Sequence, residues 1–167
     1  KWIENTGAVW VAYALTGEDR AKLTSVVAQL TPGAVFADHA EPFLPAIAAT
    51  LAPEVLLVCL TGLAADRQTV AFDALLATTP SAAMQTAHAA ITGDTVAKFL
   101  FTSGTTGSPK AVVQTHRMIC ANQAMVAVAY GFTPSDPPVI IDWAPWNHTA
   151  SGNKVFNMAL HNGGAYY

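Results

Sequence analysis

Charge is what this sequence has least of. Only 11% of its 167 residues are Asp, Glu, Lys or Arg, against 52% hydrophobic, an apolar balance even for a globular chain. Eight Lys and Arg against eleven Asp and Glu leave a formal net charge of −3. With no run of cations to track a phosphate backbone or an anionic bilayer, nucleic acid and membrane are not expected partners. Cysteine is nearly missing too. Cys59 and Cys120 lie far apart among apolar neighbours, with no CxxC pair and no Cys/His ligand spacing. Neither a disulfide framework nor a zinc site is supported, and two buried reduced thiols are expected. No apolar stretch approaches the ~18 residues of a membrane span. The opening Lys1-Trp2-Ile3-Glu4-Asn5 sets polar groups where a signal peptide needs an apolar run, so a cytoplasmic location is the expectation. GxSxG, HExxH and paired-carboxylate patterns are absent as well.

What is present alternates between strand-like and helix-like segments. The chain is long enough for one domain that buries roughly 70% of its unfolded surface. Residues 8–14 read as a strand. Glu18 and Asp19 open a helix where its dipole favours negative charge, and Leu23, Val26, Val27 and Leu30 form its apolar face. Pro32-Gly33 ends it, and Ala34 to Ala37 is a short strand. Pro42 and Pro45 are tolerable in the first turn of the next helix, whose inward stripe is Leu44, Ile47, Ala48 and Leu51. Val55 to Leu60 is a continuous apolar run, expected of a strand covered on both faces. Residues 69–77 and 80–91 are expected to be helical. Thr95 to Thr102 and Ala111 to Gln114 read as strands, and Thr115 caps a helix reaching Ala129 with Gly131 as its stop. A strand at 139–143, a helix at 151–161 and a strand at 165–167 complete the series. The alternation predicts a three-layer α/β domain with a largely parallel sheet. Both ends fall at strands with no closing element, so both are expected to be cut from a longer chain.

The chemistry concentrates between two of these strands, in Thr102-Ser103-Gly104-Thr105-Thr106-Gly107-Ser108-Pro109-Lys110. Glycines let a backbone turn sharply and aim its N–H groups into one concavity, hydroxyls add donors without bulk, and Lys110 adds a cation. Such a set suits a polyphosphate, whose oxygens need several donors at once. It is not a Walker loop, because Pro109 precedes Lys110 and Ala111 follows it, and no GxGxxG is present. A plain Ser/Thr/Gly surface loop is the bland alternative; the ordered pattern between two apolar strands argues against it.

The nine residues from Thr102 to Lys110 resemble the signature phosphate loop of the acyl-adenylate-forming (AMP-binding) superfamily, which includes acyl- and aryl-CoA synthetases, luciferases and the adenylation domains of peptide synthetases. A second segment, Asp142-Trp143-Ala144-Pro145-Trp146-Asn147-His148-Thr149, is similar to the family's next motif, an aromatic and His-bearing turn at the acyl pocket. Pro145-Trp146-Asn147-His148-Thr149, with Gly152-Asn153 and Asn162-Gly163-Gly164 behind it, is most similar to feruloyl-CoA synthases. Ala97-Lys98-Phe99-Leu100-Phe101 and the helix bearing Met118, Cys120, Ala121, Asn122 and Gln123 look like the same branch. The resemblance runs from about Ala21 to the C-terminus. Two departures stand out. Ala150-Ser151 replace an aromatic residue and a glycine, and Lys154 stands where the branch has His, so the acyl pocket is expected to differ in shape there.

The resemblance implies an incomplete large N-terminal AMP-binding domain, with the C-terminal domain absent from residues 1–167. It implies ATP with Mg2+, a small carboxylic acid of aryl type, and CoA as co-substrate. Thr102, Ser103, Gly104, Thr105, Thr106 and Gly107 would hold the β- and γ-phosphates. Lys110 would supply charge to the departing pyrophosphate, Trp146 and His148 would line the acid site, and His148 would also steer the carboxylate. Without the resemblance, Trp146 reads as core packing and His148 as a lone loop residue. His39, His88, His116 and His161 read as structural. The acids for magnesium and ribose and the mobile-domain lysine are implied to lie beyond this chain. A different class of reading is a non-catalytic nucleotide-binding module that retains the fold, or a surface for a homodimer. An unrelated nucleotide phosphatase or kinase ranks third.

Overall fold

The computed structural model describes residues 17–102, 110–133, 135–144 and 148–167; of 17–20, 22 and 102 it describes the backbone only. The expected strand at 8–14 lies outside these residues. The chain divides into two compact units, one of residues up to Ile91 with Phe101–Ala111, the other of Thr92–Leu100 with Val112–Tyr167.

In the first unit, helix α1 (Gly17–Gln29) precedes strand β1 (Ala34–His39), helix α2 (Ala40–Thr50) and strand β2 (Leu56–Thr61). Parallel pairing of β1 with β2 sets Val35 beside Leu57 and Ala37 beside Cys59, and α2 makes the crossover that parallel neighbours need. The apolar run does what such a run demands: Leu56, Leu57, Val58 and Cys59 are all buried, on both faces of the strand. Leu57 and Cys59 pack with Ala37, Ala40, Ile47, Leu51 and Ala64 into one cluster. Burial also pushes the Cys59 thiol pKa up. Pro42 sits in the first turn of α2, whereas Pro45 lies inside the helix. The inward stripe runs through Ala46 and Ile47, leaving the expected Ala48 exposed.

One helix expectation is corrected here. Thr69–Ala71 forms strand β3, parallel to β2 with Thr69 beside Leu57 and Val70 beside Val58, and only Phe72–Leu76 is helical (α3). The free edge of β2 offered backbone partners that no local pattern reveals, and β-branched Thr69 and Val70 suit that edge. Helix α4 (Ala82–Ala89) follows, capped by Ser81 Oγ accepting from Met84 N–H at 3.2 Å.

Strand β4 (Val96–Thr102) and strand β5 (Lys110–Thr115) are hydrogen-bonded neighbours. In the second unit, helix α5 (His116–Ala129) begins as expected, with Thr115 Oγ1 accepting from Met118 N–H at 3.3 Å. Cys120 is exposed on it, not buried as expected, because that face of α5 has no covering among the described residues. Strand β6 is short, Val139–Ile140, and pairs in parallel with strand β7 (Ala165–Tyr166). Between them lie a π-helical turn, Ala150–Val155, and helix α6, Phe156–His161.

A Schellman-type end closes α6: Gly163 takes φ +65°, and Gly164 N–H reaches Ala159 O at 2.8 Å. A side chain at Gly164 would collide with the Pro138 carbonyl, which accepts from Ala165 N–H at 2.9 Å to start β7. The α/β class with a parallel sheet holds. Among the described residues no helix is long and apolar enough to cross a membrane.

Candidate functional site

Lys110 opens β5 with its side chain exposed, directly after the glycine-rich segment. Thr102 is the last residue of β4. Ser103, Gly104, Thr105, Thr106 and Gly107 lie outside the described residues, as does Trp146. The strand–loop–strand framing of the motif is therefore present at both ends: an apolar strand delivers the chain to it, and a second strand begins on its lysine.

His148 is described and exposed. It starts the helical stretch in the manner of an N-cap. Its carbonyl accepts from Gly152 N–H at 2.9 Å, and its ring Nδ1 accepts from Ala150 N–H at 3.2 Å. With Nδ1 accepting from Ala150 N–H, Nε2 is the ring nitrogen that can donate to a carboxylate or phenol oxygen.

Behind His148 stands a set of polar groups that sequence reading left unassigned. Asp142 Oδ2 accepts from Ser151 Oγ at 2.6 Å and from Tyr166 OH at 2.9 Å, while Oδ1 accepts from Ala144 N–H at 3.0 Å. The Ser151 hydroxyl, then the Ala144 amide, hold the Asp142 carboxyl below the usual carboxylate range against opposing desolvation, and the Tyr166 hydroxyl adds to the lowering. Asp142 N–H donates to Tyr167 O at 3.0 Å, so this residue ties the loop before His148 to β7. Ser151, which stands where the resemblance expects glycine, is 1% exposed. Its hydroxyl donates to the Asp142 carboxylate.

The π-helical turn is held by side-chain donors on three successive carbonyls. Lys98 Nζ and Asn157 Nδ2 reach Gly152 O at 2.9 and 3.2 Å. Gln123 Nε2 and Asn157 Nδ2 reach Asn153 O at 3.0 and 2.8 Å, and Gln123 Nε2 also reaches Lys154 O at 3.3 Å. Asn153 Nδ2 donates to Gln114 Oε1 at 3.1 Å. Lys154 lies over the Tyr130 ring, 5.2 Å from its centroid, a cation–π arrangement that gives the departure from His a local reason. One signal could have pointed to Lys98: it is a cation inside the apolar strand Val96-Ala97-Lys98-Phe99-Leu100. Among the described residues no group of three or more His, Cys, Asp or Glu is placed to hold a metal ion.

The family model of the AMP-binding enzymes matches residues 6–167. Among curated proteins, the chain is 46% identical over 46 residues to a probable CoA ligase, CCL8, of Humulus lupulus, covering 28% of this chain and 8% of that protein. It is 32% identical over 91 residues to the FR901469 synthetase of Dothideomycetidae sp. (strain 11243), covering 54% of this chain and 1% of that protein. Two solved structures share the fold: McyG A-PCP complexed with phenylalanyl-adenylate (TM-score 0.61, 22% identity, 95% of this chain and 23% of that chain) and ATP-bound MatB from Rhodopseudomonas palustris (TM-score 0.60, 22% identity, 95% and 28%). The chain thus spans about a quarter of these solved relatives and a small fraction of the curated ones. With the family model running along nearly all of its length, this chain belongs to the AMP-binding enzyme family.

Proposed function

We propose that this chain is part of an ATP-dependent acid–CoA ligase that activates an aryl carboxylate, hydroxycinnamic and feruloyl-like, as its acyl-adenylate. The observation that carries the reading is the glycine- and hydroxyl-rich sequence from Thr102, the end of β4, to Lys110, the start of β5, in a chain of the AMP-binding family. A carboxylate oxygen of the acid attacks the α-phosphorus of ATP, the bond from that phosphorus to the bridging oxygen breaks, and pyrophosphate leaves. The CoA thiolate then attacks the acyl carbon and AMP leaves. Negative charge gathers on the departing pyrophosphate. Backbone N–H groups and hydroxyls of Thr102, Ser103, Gly104, Thr105, Thr106 and Gly107, with the Lys110 ammonium, stabilise it there. Magnesium would travel with ATP and neutralise charge on its phosphates.

The acid lies against Trp146 and His148. The indole packs on a flat phenylpropenoid, and the His148 Nε2–H donates to a carboxylate or phenol oxygen. The aryl choice rests on the similarity of Pro145-Trp146-Asn147-His148-Thr149 to feruloyl-CoA synthases, and CoA as acceptor is favoured by the likeness to the CoA ligase of Humulus lupulus. A second reading, in which the chain belongs to an adenylating part of a larger synthetase, draws on the likeness to the FR901469 synthetase.

The full-length protein is tested by acid-dependent exchange of labelled pyrophosphate into ATP, with ferulate, coumarate, caffeate, benzoate, a medium-chain fatty acid and a set of amino acids. A kcat/KM preference for a hydroxycinnamate is expected. Preference for the fatty acid would overturn the aryl class, and activity confined to amino acids would favour the synthetase reading. Lys110→Ala or Gly104→Val should lower exchange about a hundredfold, the usual loss on removing one preorganised charge-stabilising donor, ~3 kcal/mol. Unchanged exchange with the fold intact would remove the segment from the mechanism.

A further inference from the structure

The turn after His148 departs from α-helical register. In an α-helix Phe156 N–H would bond Gly152 O, four residues back; here it bonds Ser151 O, five back. The Gly152 carbonyl instead holds the Lys98 ammonium at 2.9 Å and the Asn157 amide at 3.2 Å. Lys98 comes from 54 residues earlier in the chain, from the middle of β4, and its bond to Gly152 O is partly buried. Partial burial of the ammonium lowers its pKa, a cost that a residue placed only for solubility does not bear. Asn153 and Gln123 are 6% and 4% exposed, and beside the same turn their side-chain oxygens have no partner among the described residues.

Register matters because His148 stands at the head of the turn. Its carbonyl and its Nδ1 are bonded to Gly152 N–H and Ala150 N–H, so its ring moves with these residues. Converting a π turn to α removes one residue from the winding. It turns everything before it by about 100° relative to the helix after it. We propose that Lys98 is a positioning residue for the acid site: by holding Gly152 O it keeps residues 150–155 in π register and so sets the direction in which His148 presents Nε2–H. The proposal rests on the reading of His148 as an acid-contacting residue. It makes the β4 lysine a determinant of acid recognition through a backbone carbonyl, with no contact to the acid itself.

The test uses the full-length protein and pyrophosphate exchange with its best acid. Lys98→Met should raise KM for the acid about tenfold while KM for ATP stays within about twofold. Lys98→Arg, which keeps a cationic donor, should restore most of the loss. Asn157→Ala, which removes the second donor on the same carbonyl and disturbs less, should raise acid KM in the same direction by about threefold. If Lys98 acts through His148, the pair Lys98→Met with His148→Ala should be no worse than His148→Ala alone. Equal losses for acid and ATP would overturn the proposal, as would effects of Lys98→Met and His148→Ala that multiply. An Asn157→Ala protein with normal folding and unchanged acid KM would also overturn it, and it serves where Lys98→Met does not fold. A His148→Ala protein with unchanged acid KM would instead overturn the reading of His148, a result separate from the other three.

Discussion

The sheet β1–β2–β3 buries hydrocarbon, whereas the turn between His148 and α6 buries amides and hydroxyls. In the first unit the covered side chains are Val26, Ala37, Ala40, Ala46, Ile47, Leu51, Leu56, Leu57, Val58, Cys59 and Ala64. The second unit has Leu100, Val126 and Ala159, but also every buried polar residue described: Gln123, Thr133, Ser151 and Asn153. Apolar burial is non-directional and tolerates small shifts. A buried hydrogen-bond network is not tolerant: each missing partner costs a desolvated group, and each present one fixes a geometry. The first unit is built to be stable, and the second holds a conformation that packing alone would not select. That difference fits the proposed assignment of acid recognition to His148.

The sharpest test of the comparison lies in β2. Leu57 is 0% exposed and central to the apolar cluster, so Leu57→Ala should cost about 2–5 kcal/mol. Urea denaturation of the variant against the parent chain measures it, and a loss under about 1 kcal/mol would mean that β2 is not the core. In the second unit, Gln123→Leu keeps roughly the volume but takes the donor from Asn153 O and Lys154 O. A cost of about 1–3 kcal/mol is expected, reduced by removal of the unpartnered Gln123 Oε1. A neutral or stabilised variant would show that the polar lock contributes nothing to folding and would blunt the contrast.

The smallest effect is that of Asp142→Asn, and it depends on pH. The Asp142 carboxyl is held below its ordinary value by Ser151, Ala144 and Tyr166, so its contribution is complete above about pH 4 and is lost as pH falls through the lowered value. Parent and variant should therefore differ in midpoint near neutrality and converge in acid. A difference that persists unchanged below about pH 2 would mean that shape and not charge is what Asp142 supplies.

Much of the fold could be read in advance because its signals are local. The apolar stretch Val55 to Leu60 becomes β2 with a shift of one residue. Thr115 caps α5 through its own hydroxyl, three residues from the amide it satisfies. The misreadings turn on tertiary surroundings as well as on local pattern. Thr69–Ala71 became a strand because β2 had a free edge, Ala48 yielded the inward position to Ala46, and Cys120 was left on an uncovered face.

By itself, then, the sequence determined what depends on neighbours along the chain. That includes the alternation of strands and helices, the caps, and a glycine- and hydroxyl-rich segment ending in Lys110 between two strands. The tertiary structure alone decided the rest, since it joins residues that have no local reason to meet. Asp142 meets Tyr166 across 24 residues, Gln123 meets the Asn153 carbonyl across 30, and Lys98 meets Gly152 across 54. A π register differs from an α register by one residue in the winding. Its local signal is faint, so the choice falls to donors that folding brings from elsewhere.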